Sequence, residues 1–409
     1  MQKDNLRQDT YLVALQRRFE HDWEIEENLL ELAELATDAG LNVIDSFVQR
    51  RDNPDPGTFI GRGKALELKQ IAEGALVIFD DELTPAQQGN LSDLMEAPVI
   101  DRTQLILDIF AQRAQSNEGK IQVELAQLNY LLPRLTGKGA VLSRLGGGIG
   151  TRGPGETKLE TDRRRIRRRI RDLKAELEKV RQTRALQRRG REKKDIPVVA
   201  LVGYTNSGKS TVLRALTGSG VFVADQLFAT LDPTIRRWDL KDNRWVYLSD
   251  TVGFIRKLPH TLVAAFQATL EEVTYADLLL HIIDASHPQV AEQIEAVNRV
   301  LQEIGAVQPV ISVYNKIDLI PDPPGIKVPD QTISAKTGEN LDQLTEAVYN
   351  FFSSKYTVRD YFFPFPQLGE AQQLRARGHV LGEEFTPKGL AIKAEVDNIT
   401  ASILSSFEK

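Results

Sequence analysis

One eight-residue segment, Gly203–Ser210, constrains the fold of this chain more than any other feature of its sequence. It reads Gly-Tyr-Thr-Asn-Ser-Gly-Lys-Ser and matches the spacing G-x-x-x-x-G-K-[ST]. The apolar run 197–202 before it is typical of a buried strand, and residues 211–216 after it have the spacing of an apolar helix. A strand, a glycine-rich loop and a helix in this order predict an α/β unit with a doubly wound sheet.

The chemistry expected of this loop is phosphate binding. Its glycines let backbone N–H groups converge on phosphate oxygens, and the start of the following helix adds positive potential. Lys209 is expected to reach the β and γ phosphates, and the Ser210 hydroxyl is expected to ligate Mg²⁺. The nucleotide-binding residues predicted here are Gly203, Tyr204, Thr205, Asn206, Ser207, Gly208, Lys209, Ser210 and Thr211.

Three further motifs follow strands of the same predicted sheet. In the first, Asp250 is expected to hold magnesium through water and Gly253 to sense the γ phosphate. In the second, the Asp318 carboxylate can accept hydrogen bonds from guanine N1–H and the 2-amino group, a donor pair that adenine lacks, so the motif predicts GTP rather than ATP. The third motif, Ser334-Ala-Lys336, is expected to close over the base. The residues predicted from these motifs are Asp250, Thr251, Val252, Gly253, Asn315, Lys316, Asp318, Ser334, Ala335 and Lys336.

A mobile switch is expected between the phosphate loop and Asp250. Thr230 is the residue predicted to complete the magnesium shell when a γ phosphate is present, with Thr234 as the alternative. The predicted magnesium ligands are thus Ser210, Thr230 and Asp250, and the predicted catalytic residues are Lys209, Thr230 and Gly253. The switch residues assigned to nucleotide binding are Phe228, Ala229, Thr230, Leu231 and Asp232.

Charge is distributed very unevenly along the chain. The net charge is −5, but residues 134–194 carry 21 Lys or Arg against 7 Asp or Glu. A solvated helical face would account for a weaker excess; one this large and local points to a polyanionic partner, for which nucleic acid is the natural candidate. Apolar residues at helical spacing around 121–132 and 166–180 predict two helices packed as a hairpin, separated by a glycine-rich basic loop at 135–155 that includes Lys138, Arg144 and Arg152.

The whole chain is expected to contain four parts. Residues 1–112 alternate short apolar runs with helical patterns and predict a small parallel α/β domain; within it, 58–64 is interpreted as a helix-entry turn rather than a phosphate loop. Residues 113–195 are the basic hairpin, 196–355 a Ras-like P-loop GTPase domain, and 356–409 a small C-terminal α/β unit without assigned chemistry.

Composition excludes several classes of protein. The chain has 409 residues, 41% hydrophobic and 27% charged, which is typical of globular domains. It has no cysteine, so disulfide frameworks and thiolate zinc sites are excluded. No apolar leader and no run of about 20 apolar residues occurs, so a cytoplasmic protein without a membrane span is expected. Nothing demands more than a monomer.

The sequence resembles the HflX family of ribosome-associated GTPases, close to the Obg group. The resemblance is carried by the phosphate loop, by Phe228-Ala-Thr-Leu-Asp-Pro-Thr234, by Asp250-Thr-Val-Gly-Phe-Ile-Arg256 with Leu258-Pro-His260, and by the loop 146–158; it covers roughly residues 10–355. It implies a GTPase that binds the large ribosomal subunit, splits or recycles stalled or idle ribosomes under stress, and places the glycine-rich loop near the peptidyl transferase centre. A role in subunit biogenesis is the other reading.

Two residues bear on mechanism. Phe254 follows Gly253 where the Ras-like pattern has a glutamine that orients the attacking water, so slow intrinsic hydrolysis is expected, with stimulation by the ribosome. Asn206 stands where potassium-dependent GTPases place a metal-ligating asparagine, which makes K⁺ dependence a hypothesis. The competing function is an RNA-binding or ATP-dependent RNA-remodelling protein whose GTPase domain is only regulatory.

Overall fold

The structure is a computed structural model of the full chain. It describes residues 8–135, 158–192, 196–218, 228, 234–242, 244–257, 270, 272–321, 330–354 and 356–409.

A four-stranded parallel sheet forms the N-terminal part. Its strands lie in the order β2-β1-β3-β4, and every pair within it is parallel, as predicted. Helix α2 begins after Gly61, so residues 58–64 are the helix-entry turn that the sequence predicts. The elements are β1 Asp9–Gln16, α1 Asp22–Asp38, β2 Asn42–Arg50, α2 Arg62–Ile71, β3 Leu76–Phe79, α3 Pro85–Met95, β4 Val99–Asp101 and α4 Arg102–Arg113.

Local sequence explains where two of these helices begin. The Thr84 hydroxyl oxygen accepts a hydrogen bond from the Gln87 amide, and the Gln87 side-chain oxygen accepts one from the Thr84 amide, so a capping box precedes α3. The Asp101 side chain caps α4 by accepting a hydrogen bond from the Gln104 amide. The Asp101 carboxylate also contacts Arg134 at 3.2 Å, which ties the end of the next helix to this sheet.

Two long helices follow. Helix α5 spans Asn117–Arg134 and α6 spans Lys158–Glu192, and they pack through an apolar seam that contains Ile121, Leu125 and Leu173, as predicted. Glu124 of α5 forms an ion pair with Arg169 of α6 at 2.6 Å. The glycine-rich loop between them, with Lys138, Arg144 and Arg152, lies outside the described residues.

The next sheet has six strands in the order β10-β9-β8-β5-β7-β6, and only β6 runs antiparallel to its neighbour. The predicted Ras-like doubly wound architecture is confirmed, and β6 and β7 form an antiparallel hairpin within it. Its elements are β5 Val198–Gly203, α7 Lys209–Thr217, β6 Thr234–Asp239, β7 Trp245–Asp250, β8 Leu278–Asp284, α8 Val290–Glu303, β9 Val310–Asn315, β10 Gln331–Thr332 and α9 Leu341–Ser353.

A small antiparallel sheet in the order β11-β13-β12 follows α9. Together with its helices, this sheet forms the small C-terminal α/β unit expected from the sequence. Its buried face includes Tyr361, Phe363 and Ile392. The elements are β11 Tyr356–Pro364, α10 Leu368–Arg377, β12 His379–Thr386, β13 Gly389–Asp397 and α11 Asn398–Ile403. We call residues 356–409 the C-terminal unit.

The N-terminal sheet and the GTPase domain share one apolar core. That core includes Leu32 and Phe110 on one side and Val202 and Phe254 on the other. The rings of Phe110 and Phe228 meet edge to face, with centroids 4.6 Å apart. Phe228, which follows α7, therefore packs against the N-terminal part of the chain. No helix in the part of the chain described here is long and apolar enough to cross a bilayer.

Candidate nucleotide-binding site

The phosphate loop lies where the sequence predicts it, between the end of β5 at Gly203 and the start of α7 at Lys209. Gly208 has φ of +94°, and a Cβ there would lie 2.3 Å from Nδ2 of Asn315. Only glycine fits this position, because a side chain would strain the backbone and displace the asparagine. Helix α7 begins directly after this glycine, so the positive end of its dipole lies at the loop.

Lys209 is buried beneath the loop backbone. Its Nζ donates hydrogen bonds to the carbonyl oxygens of Gly203 at 3.0 Å and Tyr204 at 2.7 Å. Burial lowers the pKa of Lys209 to about 8, and the nearby Asp250 carboxylate opposes that shift. Two loop hydroxyls, Thr205 Oγ1 and Ser207 Oγ, are buried and have no hydrogen-bond partner within the described part of the chain. Such polar atoms fit a loop that binds a polar ligand.

Ser210 and Asp250 come together, as predicted. The Ser210 hydroxyl donates to Oδ2 of Asp250 at 2.7 Å, and Asp250 ends β7 beside Leu201 of β5. The Thr251 hydroxyl donates to the Leu201 carbonyl at 2.6 Å and holds this turn in place. A hydroxyl and a carboxylate oxygen are hard ligands of the kind that Mg²⁺ prefers, so this donor set fits the predicted metal.

The segment after Asp250 lies directly on the phosphate loop. The Thr205 amide donates to the Phe254 carbonyl at 2.7 Å, and the Phe254 amide donates to the Gly203 carbonyl at 3.1 Å. A Cβ on Gly253 would lie 2.9 Å from Lys209 Nζ, so this glycine permits the close approach. The Phe254 side chain is buried in the shared core. It offers no polar group to an attacking water.

The predicted guanine-binding residues also meet at one place. Asn315 joins two loops, because its Nδ2 donates to the Ser207 carbonyl at 2.9 Å while its Oδ1 accepts from the Ala335 amide at 3.0 Å. The Ser334 hydroxyl donates to Asp318 Oδ1 at 2.7 Å. The second and third motifs are thus linked to each other and to the phosphate loop. Lys336, which follows Ala335, is exposed.

Asp284 belongs to this site but was missed by the sequence reasoning. Its carboxylate contacts Lys316 Nζ at 2.6 Å and accepts from the Ser286 amide at 3.0 Å and the Ser286 hydroxyl at 2.6 Å. Lys316 has φ of +64°, a conformation that is uncommon for a residue with a side chain. Asp284 ends β8, so a search for polar residues at the ends of all predicted parallel strands would have found it.

Tyr204 connects the loop to the N-terminal sheet. Its hydroxyl donates to Glu31 and accepts from the Arg256 amide at 2.7 Å. Glu31 also forms an ion pair with the buried Arg102. Burial raises the pKa of Tyr204 to about 12 and lowers that of Arg102 to about 10. The sequence placed Tyr204 in the nucleotide site, whereas its side-chain contacts lead away from it.

The predicted switch is only partly described. Thr230 lies outside the described residues, as do Ala229, Leu231 and Asp232. Phe228 is buried against Phe110 of the N-terminal part. The alternative Thr234 begins β6 and is paired with Asp250, at the phosphate end of the sheet.

Three family descriptions match consecutive parts of the chain. Residues 26–111 match "GTP-binding GTPase N-terminal", 113–191 match "GTP-binding GTPase Middle Region", and 198–316 match "50S ribosome-binding GTPase". GTPase HflX of Caldanaerobacter subterraneus subsp. tengcongensis is 54% identical over 91% of this chain and 88% of its own. The chain belongs to the HflX family of GTPases.

A second relative supports the same family assignment. GTPase HflX of Escherichia coli strain K12 is 49% identical over 87% of this chain and 85% of its own. Among solved structures, a GTP-binding protein of the archaeon Sulfolobus solfataricus in complex with GDP is 27% identical over 84% of this chain and 99% of its own, with a TM-score of 0.44. The HflX relatives confirm the resemblance seen in the sequence, and they establish the chain as an enzyme that hydrolyses GTP.

Replacing Asp318 by Asn tests the guanine site. The change removes a carboxylate acceptor, so we expect the affinity for GDP to fall about 10- to 100-fold. Titration with a fluorescent guanine nucleotide measures this. Asp360→Asn, at an exposed position of the C-terminal unit, is the matched control and should leave affinity unchanged. Equal affinities for both variants and the parent would place the base elsewhere.

Replacing Asp284 by Asn tests whether it acts through Lys316. Loss of the anchoring charge should weaken guanine nucleotide binding several-fold and raise KM more than it lowers kcat. If Asp284 acts through Lys316, the variant Asp284→Asn with Lys316→Ala should bind no more weakly than Lys316→Ala alone. Additive losses would show that the two residues act independently.

Proposed function

We propose that this GTPase binds the large ribosomal subunit through its basic hairpin, acts in translation, and splits or recycles stalled or idle ribosomes under stress. The alternative role within the same proposal is assistance to the biogenesis of the large subunit. The observation that carries the proposal is the surface of α6, where Arg164, Arg165, Arg167, Arg168 and Arg171 are exposed on a helix whose other face packs on α5.

The helix is suited to an RNA backbone. Its apolar residues Ile170, Leu173 and Leu177 pack against α5, and the exposed arginines lie on the solvent-facing part of the same helix. Arginine binds phosphate oxygens through two N–H groups at once, and each contact releases counterions. The description "50S ribosome-binding GTPase" of the matched family supports a ribosomal source for that RNA.

The same proposal assigns roles within the nucleotide site. Lys209 and the loop amides hold the phosphates, and Gly253 senses the γ phosphate. Asn315 and Asp318 read the base, and Ser334, Ala335 and Lys336 close over it. P-loop GTPases normally use Mg²⁺ with the nucleotide, and when bound it neutralises charge on the β and γ phosphates. Ser210 and Asp250 would hold it, with Thr230 as the proposed third ligand.

Hydrolysis by the isolated protein is expected to be slow. Phe254 is buried at the position where a water-orienting side chain would otherwise stand. We therefore propose that the ribosome completes the catalytic arrangement. A role for K⁺ at Asn206 remains part of the proposal; Asn206 has φ of +59° and an exposed side chain beside the phosphate loop.

Two further elements complete the proposal. The protein acts in the cytoplasm, which its cysteine-free sequence and the proposed ribosomal partner support, and it acts as a monomer. Its four parts are 1–112, 113–195, 196–355 and 356–409, a division supported by the separate sheets and the helical hairpin between two of them.

Cosedimentation with purified ribosomal subunits tests the docking surface. Binding to the large subunit should be stronger with a non-hydrolysable GTP analogue than with GDP and should weaken as salt is raised. Arg167→Glu with Arg168→Glu should reduce binding at least tenfold and flatten the salt dependence. The control Lys388→Glu with Lys393→Glu makes the same charge change on the C-terminal unit and should retain binding. Binding that ignores nucleotide would favour the RNA-binding alternative.

Turnover measured with and without large subunits tests the partner's catalytic role. Addition of subunits should raise kcat by at least tenfold, because Phe254 leaves water activation to the partner. Equal rates with and without subunits would contradict stimulation.

Turnover in potassium and in sodium salts, measured for the parent chain and for Asn206→Ala, tests K⁺ dependence. Only the parent chain should respond to potassium. Equal rates in both salts would contradict K⁺ dependence.

A further inference from the structure

The β6–β7 hairpin has one end at the phosphate site and the other far from it. Thr234 pairs with Asp250 at the first end, and Asp239 pairs with Trp245 at the second. At about 3.4 Å per residue, these two pairs lie roughly 17 Å apart. Asp250 is the residue that contacts Ser210 of α7. The hairpin is therefore a two-stranded ribbon that begins in the candidate nucleotide site.

The turn at the far end of the hairpin is fastened to helix α9. Lys241 forms an ion pair with Glu346 at 2.9 Å, and the Tyr349 hydroxyl donates to Asp242 at 2.6 Å. Both contacts lie on the surface, so each adds little stability by itself. Together they fix which part of α9 the turn approaches.

Arg244, at the start of the returning strand, extends these contacts to the C-terminal unit. Its guanidinium donates to the Ser353 hydroxyl at 2.9 Å and forms an ion pair with Glu395 of β13. It also lies over the rings of Tyr349 and Tyr356, 5.2 and 5.3 Å from their centroids. The side chains of Arg244 and Glu395 are each only 15% exposed, so solvent screens this pair weakly.

The position of β6 permits the ribbon to shift. Among the residues that the structure describes, it is the edge strand of the six-stranded sheet and pairs only with β7. A displacement at Thr234 can therefore pass along the hairpin without breaking a second strand pairing. At the far end, Arg244 contacts α9 and the strands β11 and β13 of the C-terminal unit. A displacement of Arg244 therefore changes how that unit is held.

We propose that the β6–β7 hairpin, through Arg244, couples the nucleotide state of the GTPase domain to the C-terminal unit. This inference rests on the proposed function, because it requires that GTP and GDP are distinguished at the Thr234 and Asp250 end. The C-terminal unit then acts as a reporter of the bound nucleotide. Because coupling between two sites is reciprocal, loosening the unit must also alter the preference of the nucleotide site for GTP over GDP.

Hydrogen exchange of the full-length protein tests the coupling. In the parent chain, amides of 356–364 and 389–397 should exchange at different rates with GDP and with a non-hydrolysable GTP analogue. Arg244→Ala should abolish that difference and change the ratio of the two nucleotide affinities by about fivefold or more. Glu395→Gln removes the partner charge from the other side and should act in the same direction.

Arg237→Ala is the matched control. Arg237 lies on the same hairpin, bonds Asp239 at 2.6 Å and covers the ring of Trp245, both within the hairpin. This variant should keep the nucleotide-dependent difference. Thermal unfolding shows whether each variant is folded, and if Arg244→Ala is not, Glu395→Gln decides the outcome.

The outcomes separate the two proposals. A parent chain that binds neither nucleotide would contradict the proposed function. A parent chain that binds both but shows the same exchange in the C-terminal unit would overturn the coupling and leave the GTPase site intact. Retention of the exchange difference in Arg244→Ala and Glu395→Gln would likewise overturn the role of this contact.

Discussion

The parallel direction of β5, β7, β8 and β9 is the constraint on which the rest of the structure depends. Parallel strands bring their carboxyl ends to one edge of the sheet, and a polar residue that ends a strand there becomes a neighbour of the others. Asp250, Asp284 and Asn315 end three of these strands, and the phosphate loop follows the fourth. Residues far apart in sequence thus form one site without long loops.

The N-terminal sheet has a carboxyl edge of the same kind. The contacts at that edge explain why no binding or catalytic chemistry is assigned to this sheet. In its order β2-β1-β3-β4, the crevice between β1 and β3 is where doubly wound sheets usually bind ligands. Asp80 follows β3 there, and it forms ion pairs with Lys257 of the GTPase domain and with Arg102. Burial raises the pKa of Asp80 to about 6, against the opposing effect of Lys257. The ammonium group of Lys257 therefore occupies this crevice.

The sequence predicts those features that depend on local spacing. The phosphate loop, the strands before Asp250 and Asn315, and the seam with Leu173 follow from periodicity and motif, and the structure has those elements where they are expected. Strand β1 and helix α1 were not singled out, because no motif marks them. The bond between Tyr204 and Glu31 joins residues 173 positions apart, and no local pattern encodes such a contact.

The candidate site is held in different ways on its two sides. On the base side, Asn315 bonds both Ser207 and Ala335, so the loops are fixed to one another. On the phosphate side, the Thr205 amide is already bonded to the carbonyl of Phe254. A phosphate that takes this amide has to replace that bond, and Phe254 is anchored in a core shared with the N-terminal sheet. Phosphate binding is therefore linked energetically to the packing between the two parts.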